Sequence, residues 1–180
     1  MSAEPYISSH DSALFREALG RYAGEACLEM GAGNGGGLSV LSKRFNTVAG
    51  TDLVRPSMDD WRAGASFLLA DGASCIRNSS FDLVAFNPPY LKEGGTGDAA
   101  VEGGGGLEIP KRFLREALRA VKKDGAVVFL LNDQADLAEM RAICADRGFS
   151  IRRLSSLRLF YEELAVYEAT KTEPGRRNPT

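Results

Sequence analysis

The run Ala26-Cys27-Leu28-Glu29-Met30 passes directly into Gly31-Ala32-Gly33-Asn34-Gly35-Gly36-Gly37 and then into the helical Leu38-Ser39-Val40-Leu41-Ser42-Lys43-Arg44-Phe45. A short buried strand, a glycine loop and a helix in that order bring backbone N–H groups close to a ligand and aim a helix N-terminus at it. A glycine pattern alone is weak evidence, but its required context is present. Thr47 to Asp52 reads as a second strand that ends in an acid, 23 positions after Glu29. That is close to the ~20-residue interval at which a carboxylate meets ribose hydroxyls in dinucleotide-type sites. Asp52 is the candidate ribose ligand.

No Gly-Lys-Ser/Thr follows the glycines, so the loop is not a phosphate loop. Glu29, ahead of the first glycine, would repel a pyrophosphate and welcome a cation. A nucleoside with positive charge, such as S-adenosylmethionine with its sulfonium and ammonium, fits better than NAD. The plainer reading of Glu29 is a satisfied carboxylate at a strand end.

The remaining periodicities complete an alternating α/β pattern. Apolar positions Ala13, Leu14, Ala18, Leu19 and Tyr22 predict a helix over 12–22, with Asp11 or Ser12 as its cap. Residues 56–64, around Trp61, can form a short helix. Strands are expected over 66–71 and 81–86, the first ending in Asp71 followed by Gly72. Asp71 could accept from an adenine amino group or simply cap the next turn. Glu108 to Val121 is amphipathic with Pro110 in its first turn. Asp124-Gly125 turns into a strand over 126–131, and a helix over 134–147 closes at Gly148. Segments 150–159 and 163–169 read as an antiparallel hairpin joined at Phe160-Tyr161-Glu162. Residues 1–9 read as an arm ordered on docking, 172–180 as a disordered tail, and 1–171 as one catalytic domain.

Phe81-Asp82-Leu83-Val84-Ala85-Phe86 delivers Asn87-Pro88-Pro89-Tyr90 into a loop. The prolines fix two φ angles and remove two donors, leaving carbonyls free to accept. Asn87 adds a side-chain acceptor and Tyr90 a face for stacking. Two acceptors and a ring suit an NH2 group on a planar substrate, although Asn-Pro-Pro is also common turn punctuation. Residues 91–107 then run without periodicity through Gly103-Gly104-Gly105-Gly106, a loop long enough to serve as a lid or merely to connect. The strand ends converge on the edge where open α/β sheets bind ligands.

At 180 residues with 44% hydrophobic composition, the chain suits one domain with a sizeable core. A formal charge of −2 offers no broad basic surface, which argues against a stable complex with long nucleic acid. Cys27, Cys75 and Cys144 read as reduced, buried thiols without metal spacing. No apolar run approaches a membrane span and no leader pattern is seen, so a cytoplasmic protein is expected. His10, the only histidine, reads as a surface residue.

Taken together, these features resemble the class I S-adenosylmethionine-dependent methyltransferases. Residues 29–35 match that family's first motif, and Asn87-Pro88-Pro89-Tyr90 the motif of enzymes that methylate glutamine, adenine or cytosine nitrogens. The segment 6–15 with Asp11-Ser12, the lid with Gly97-Asp98 and 104–108, and Phe160-Tyr161-Glu162-Glu163-Leu164 narrow the resemblance to the archaeal and eukaryotic branch of HemK-like enzymes. The resemblance implies a Rossmann-like, seven-stranded and mostly parallel sheet with a C-terminal antiparallel hairpin and helices on both faces. It implies S-adenosylmethionine held by Asp11, Ser12, Glu29, Gly31, Ala32, Gly33, Gly35, Asp52, Leu53, Asp71, Gly72 and Asn87. The substrate implied is the Gly-Gly-Gln glutamine of a class 1 peptide release factor, held by Asn87, Pro88, Pro89 and Tyr90. Eukaryotic members work with a small zinc-binding activator that pairs along a sheet edge. The chain departs from the branch at Ile7-Ser8, where Glu-Pro is usual, at His10, where an acid is common, and near Val101, where an aromatic is often found. Competing readings are an adenine N6-methyltransferase on RNA or DNA and a catalytically silent cofactor-binding subunit.

Overall fold

The computed structural model describes residues 10–56, 64–88, 108–133, 135–160 and 162–172. In chain order the elements are α1 (His10–Leu19), β1 (Gly24–Met30), α2 (Leu38–Leu41), β2 (Phe45–Asp52), β3 (Ser66–Leu69), β4 (Phe81–Phe86), α3 (Glu108–Ala120), β5 (Val121–Asn132), α4 (Leu137–Ala145), β6 (Phe149–Arg158) and β7 (Glu163–Lys171). They build a seven-stranded sheet of order β3-β2-β1-β4-β5-β7-β6. The pairs from β3 through β5 are parallel, whereas β7 runs antiparallel to both β5 and β6. The expected parallel sheet with a terminal hairpin is therefore what forms.

Two apolar layers cover the sheet. Side chains alternate along a strand, and β5 shows the consequence. Val127, Phe129 and Leu131 pack with Phe113, Leu114 and Met140 of α3 and α4. Val128 and Leu130 pack on the other face with Phe15 and Leu19 of α1 and Leu38 and Leu41 of α2. Phe86 and Phe129 stack across β4 and β5 with centroids 5.3 Å apart, and Phe113 closes edge-on at 5.8 Å. Both faces of the central strands are filled, so polar side chains can leave the sheet only at strand ends.

Several expected boundaries move. The helix after the glycine loop stops at Leu41, because Phe45 is drawn into the core as the first residue of β2, opposite Gly24. Asp124-Gly125 is not a turn before the strand but lies inside β5. Its register on β4 jumps from Phe81↔Val121 to Leu83↔Ala126, and a side chain at Gly125 would strike the Asp82 carbonyl. α4 starts later than expected, where Asp136 accepts from the N–H groups of Ala138 and Glu139. β3 ends at Leu69, so Asp71 stands beyond the strand instead of at its end. Cys75 is exposed rather than buried, because Ala73 is the residue of that turn whose side chain enters the core. Cys27 and Cys144 are buried, and burial pushes each thiol up to about 12.

The arm at 1–9, the expected helix around Trp61, Pro89, Tyr90, the 91–107 segment and the tail from 173 lie outside the described residues. No helix among the described residues is long and apolar enough to cross a membrane.

Phe129 is fully buried between Phe86 and Tyr167. Phe129→Ala is expected to cost about 3–5 kcal/mol in urea unfolding; a loss below about 1 kcal/mol would mean that this stack does not hold the sheet centre.

Candidate functional site

A buried polar atom without a hydrogen bond is uncommon and calls for an explanation. Among the described residues such side-chain atoms occur on Glu29, Thr51, Asn87, Asn132 and Ser155. All but Ser155 stand where β1, β2, β4 and β5 end, on four adjacent parallel strands. Strand order therefore gathers the orphaned atoms along one carboxyl edge, where the chain between β4 and β1 diverges to opposite sides and leaves a crevice.

The β1 side of that edge is shaped by the glycine loop. Gly31, Gly33 and Gly35 adopt φ of +67°, +53° and +78°, a region that L side chains rarely enter. The turn is pinned by Ala32 N–H to the Thr51 carbonyl at 3.0 Å and Gly35 N–H to the Ala32 carbonyl at 2.8 Å. Asp52 reads the loop from β2: its Oδ2 accepts from Gly33 N–H at 2.8 Å and its Oδ1 from Val54 N–H at 3.0 Å. These two bonds aim a half-exposed carboxylate outward over the loop. Leu53 lies beside it and is largely exposed.

Glu29 sits beneath the loop, 6% exposed, with Oε2 unpartnered. A side chain at Gly37 would collide with its carboxylate. Desolvation pushes Glu29 up to about 8, against the pull of the Leu38 N–H and the charge of Arg16. A cation placed beside such a buried acid stabilises its charged form. The open loop, the outward Asp52 and the unpartnered Glu29 oxygen together fit a nucleoside that carries positive charge.

The β4 side holds the second group. Asp11, at the start of α1, is buried; its Oδ1 accepts from Ser12 N–H at 2.6 Å and its Oδ2 from Asn87 Nδ2 at 3.1 Å. A carboxylate can only accept, so this bond settles which end of the Asn87 amide faces it. Asn87 Oδ1 is consequently turned away from Asp11, and it is buried without a partner. Asp11, expected near the cofactor, thus meets Asn87, and Ser12 follows it in α1 with its N–H on the Asp11 carboxylate. Pro88 is buried at the exit of β4.

Asp71 and Gly72 are drawn towards α3. Both Asp71 oxygens accept from Arg112, at 2.6 and 2.7 Å, and this guanidinium holds the carboxyl below its ordinary range. Gly72, at φ +55°, lies against Glu116, which accepts from Ala73 N–H at 2.5 Å. Two contributors were not singled out from sequence. Arg16 of α1 reaches the loop at Gly36, and only the packing of α1 could show it. Asn132 could have been noticed, since β5 ends Leu-Leu-Asn much as β4 passes from Phe86 to Asn87. Among the described residues no cluster of His, Cys, Asp or Glu could hold a metal.

This arrangement has known counterparts. No family model matches the chain. A Methanocaldococcus jannaschii protein provisionally named a protein N5-glutamine methyltransferase is 28% identical over 92% of this chain and 91% of its own. The E. cuniculi Mtq2–Trm112 complex, described as responsible for methylation of the termination factor eRF1, superimposes with a TM-score of 0.79 at 28% identity, covering 93% of this chain and 98% of that one. The fold is that of the class I methyltransferases. Its likeness to the N5-glutamine branch, read first from 29–35 and 87–90, extends over nearly the whole length. The magnesium protoporphyrin IX methyltransferase of Synechocystis, solved with bound S-adenosylmethionine, shares the fold with a TM-score of 0.65 at 15% identity, covering 96% of this chain and 87% of that one.

Because Glu29 holds its proton more tightly folded than unfolded, the folded protein keeps an extra proton between pH about 4.5 and 8. Stability therefore falls as pH rises through that window. Glu29→Gln removes the titration and should be more stable than the parent at pH 8, by on the order of a few kcal/mol, with the gap closing towards pH 4.5. Urea unfolding across pH without cofactor checks this, and a pH-independent difference would contradict it.

Proposed function

We infer that the chain is an S-adenosylmethionine-dependent protein methyltransferase acting on a glutamine side-chain amide, that of the Gly-Gly-Gln tip of a class 1 peptide release factor. The observation that carries the reading is Asn87 Oδ1, a buried acceptor left unpartnered and oriented by Asp11. An acceptor of that kind suits the NH2 of a planar amide, and the likeness to Mtq2, whose complex methylates eRF1, favours glutamine over adenine.

S-adenosylmethionine supplies a methyl group already activated on a sulfonium. Asp52 would take the ribose hydroxyls, Glu29 the positive charge, and the 31–35 backbone the rest of the nucleoside's polar edge. An amide nitrogen is a poor nucleophile because its lone pair is delocalised into the carbonyl, so the protein's task is orientation. Asn87 Oδ1 and the Pro88 carbonyl accept the two N–H bonds of the substrate and turn the lone pair out of conjugation, and Tyr90, outside the described residues, is the ring assigned to the amide plane. Asp11 prevents the Asn87 amide from rotating. The substrate nitrogen loses its proton after methylation, and this requires no general base. Residues 1–171 act as one catalytic unit.

A partner surface lies at the β3 margin. Leu53, Val54 and Leu69 are each about two-thirds or more exposed, and Leu68 is exposed beside them. An apolar group at the end of a sheet is suited to docking another chain. The occupant we propose is a small activator subunit of the zinc-binding kind; what supports a partner is the likeness to Mtq2, solved in complex with Trm112.

Two measurements test this reading. Incubated with labelled S-adenosylmethionine, the protein is expected to label an archaeal-type release factor and not a copy whose Gly-Gly-Gln glutamine is replaced. Asn87→Ala should lower kcat far beyond the roughly tenfold of one hydrogen bond, with cofactor affinity by calorimetry nearly intact, since positioning can be worth up to ~7–11 kcal/mol. Normal turnover in that variant would remove the clamp, and label on tRNA alone would point to nucleic acid instead. Separately, Leu69→Asp is expected to weaken binding of the activator at least about tenfold in a pull-down titration without lowering the melting temperature; unaltered binding would move the partner elsewhere.

A further inference from the structure

We propose that Asn132 is a second substrate-holding amide, which binds the main chain of the target protein beside the glutamine held at Asn87. The inference rests on the glutamine reading above. Asn132 is 5% exposed, and neither its Nδ2 nor its Oδ1 has a partner. A buried carboxamide with both ends unmet is costly to keep, and a leucine of similar size would fit the surrounding apolar layer without that cost.

Its position says what could meet those ends. Alternation along β5 puts Asn132 on the face of Val128 and Leu130, the side covered by α1. On the same face β4 and β5 pair Leu83↔Ala126 and Ala85↔Val128, and the ladder ends at Phe86↔Phe129; continuing that register by one residue sets Asn87 beside Leu130 and Asn132 one same-face step beyond it. With a rise of 3.3 Å per residue and strands 4.8 Å apart, the two Asn Cα atoms are roughly 8 Å from each other. A glutamine whose amide is held at Asn87 has its own Cα roughly 5 Å back along the side chain, from ordinary bond lengths. That reach is comparable with the separation of the two asparagines.

The chemistry matches as well. Asn132 offers one donor and one acceptor side by side. An extended residue presents its N–H and C=O together on one edge, the pair exchanged across an antiparallel ladder. The Asn132 carboxamide can satisfy both at once, with its NH2 donating to the carbonyl and its Oδ1 accepting from the N–H. Asn87 would thus select the amide to be methylated, and Asn132 would hold the backbone from which it projects.

The test compares wild type, Asn132→Leu and Asn132→Ala in the release-factor assay, with cofactor affinity and thermal unfolding measured alongside. Both variants are expected to raise KM for the release factor about tenfold or more, with cofactor affinity unchanged and with the leucine variant melting no lower than wild type. KM within twofold of wild type in both variants would overturn the proposal, as would an effect confined to leucine, which would be steric. A lower melting temperature for leucine with KM unchanged would assign Asn132 a structural role and overturn it also. If wild type itself fails to methylate the glutamine, the functional reading fails first and this inference with it, an outcome distinct from the others.

Discussion

The middle of the sheet is closed on both faces, and most of what this protein can do follows from that constraint. β1, β4 and β5 have α1 and α2 on one side and α3 and α4 on the other. Polar side chains cannot be accommodated along these strands without partners, so they collect where the strands end. Because the five strands from β3 to β5 are parallel, those ends lie on one edge. The unmet atoms of Glu29, Thr51, Asn87 and Asn132 are the residue of this arrangement. Each is a desolvated group that a hydrogen-bonding ligand would satisfy.

That edge divides into two chemistries by strand order. Towards β1 and β2 lie an open glycine loop, an acid aimed outward and an acid buried beneath it, a combination suited to a nucleoside with positive charge. Towards β4 and β5 lie two carboxamides, suited to groups that both donate and accept. α1 links the halves. Its Asp11 orients Asn87, and its Arg16 reaches the glycine loop and acts on the charge of Glu29. Displacement of α1 would therefore disturb both at once, which gives a physical reason for this helix to be anchored. Tyr22, which follows it, donates to the buried Glu168 of β7 at 2.6 Å, and that carboxylate also takes Arg152 of β6.

The hairpin β6–β7 has a different task. Antiparallel insertion of β7 between β5 and β6 buries Leu164 and Val166 against the α1 layer. It completes the floor beneath Asn132, where Leu164 is its partner across the ladder. The opposite margin at β3 is short and leaves apolar residues exposed, so the two sides of the sheet are finished unequally, one by the chain itself and one with a surface suited to a partner.

The sequence by itself determined the elements and their order. Hydrophobic periodicity, the glycine loop and the Asn-Pro-Pro stretch are local signals, each governed by the conformational limits of a few consecutive residues. The seven strands, the terminal hairpin, Asp52 at the loop and Asn87 at the edge were legible on that ground. What only the tertiary structure decided depends on residues far apart in the chain. The Asp11–Asn87 bond joins positions 76 apart, and the capture of Asp71 by Arg112 joins positions 41 apart. The absorption of Asp124-Gly125 into β5 follows from pairing with β4, which overrode a local turn preference. No short-range pattern encodes which polar atoms remain unmet after packing, because satisfaction is a property of every neighbour at once. For that reason Asn132 is one letter at a strand end in the sequence and an unpaired amide beside the clamp in the folded protein.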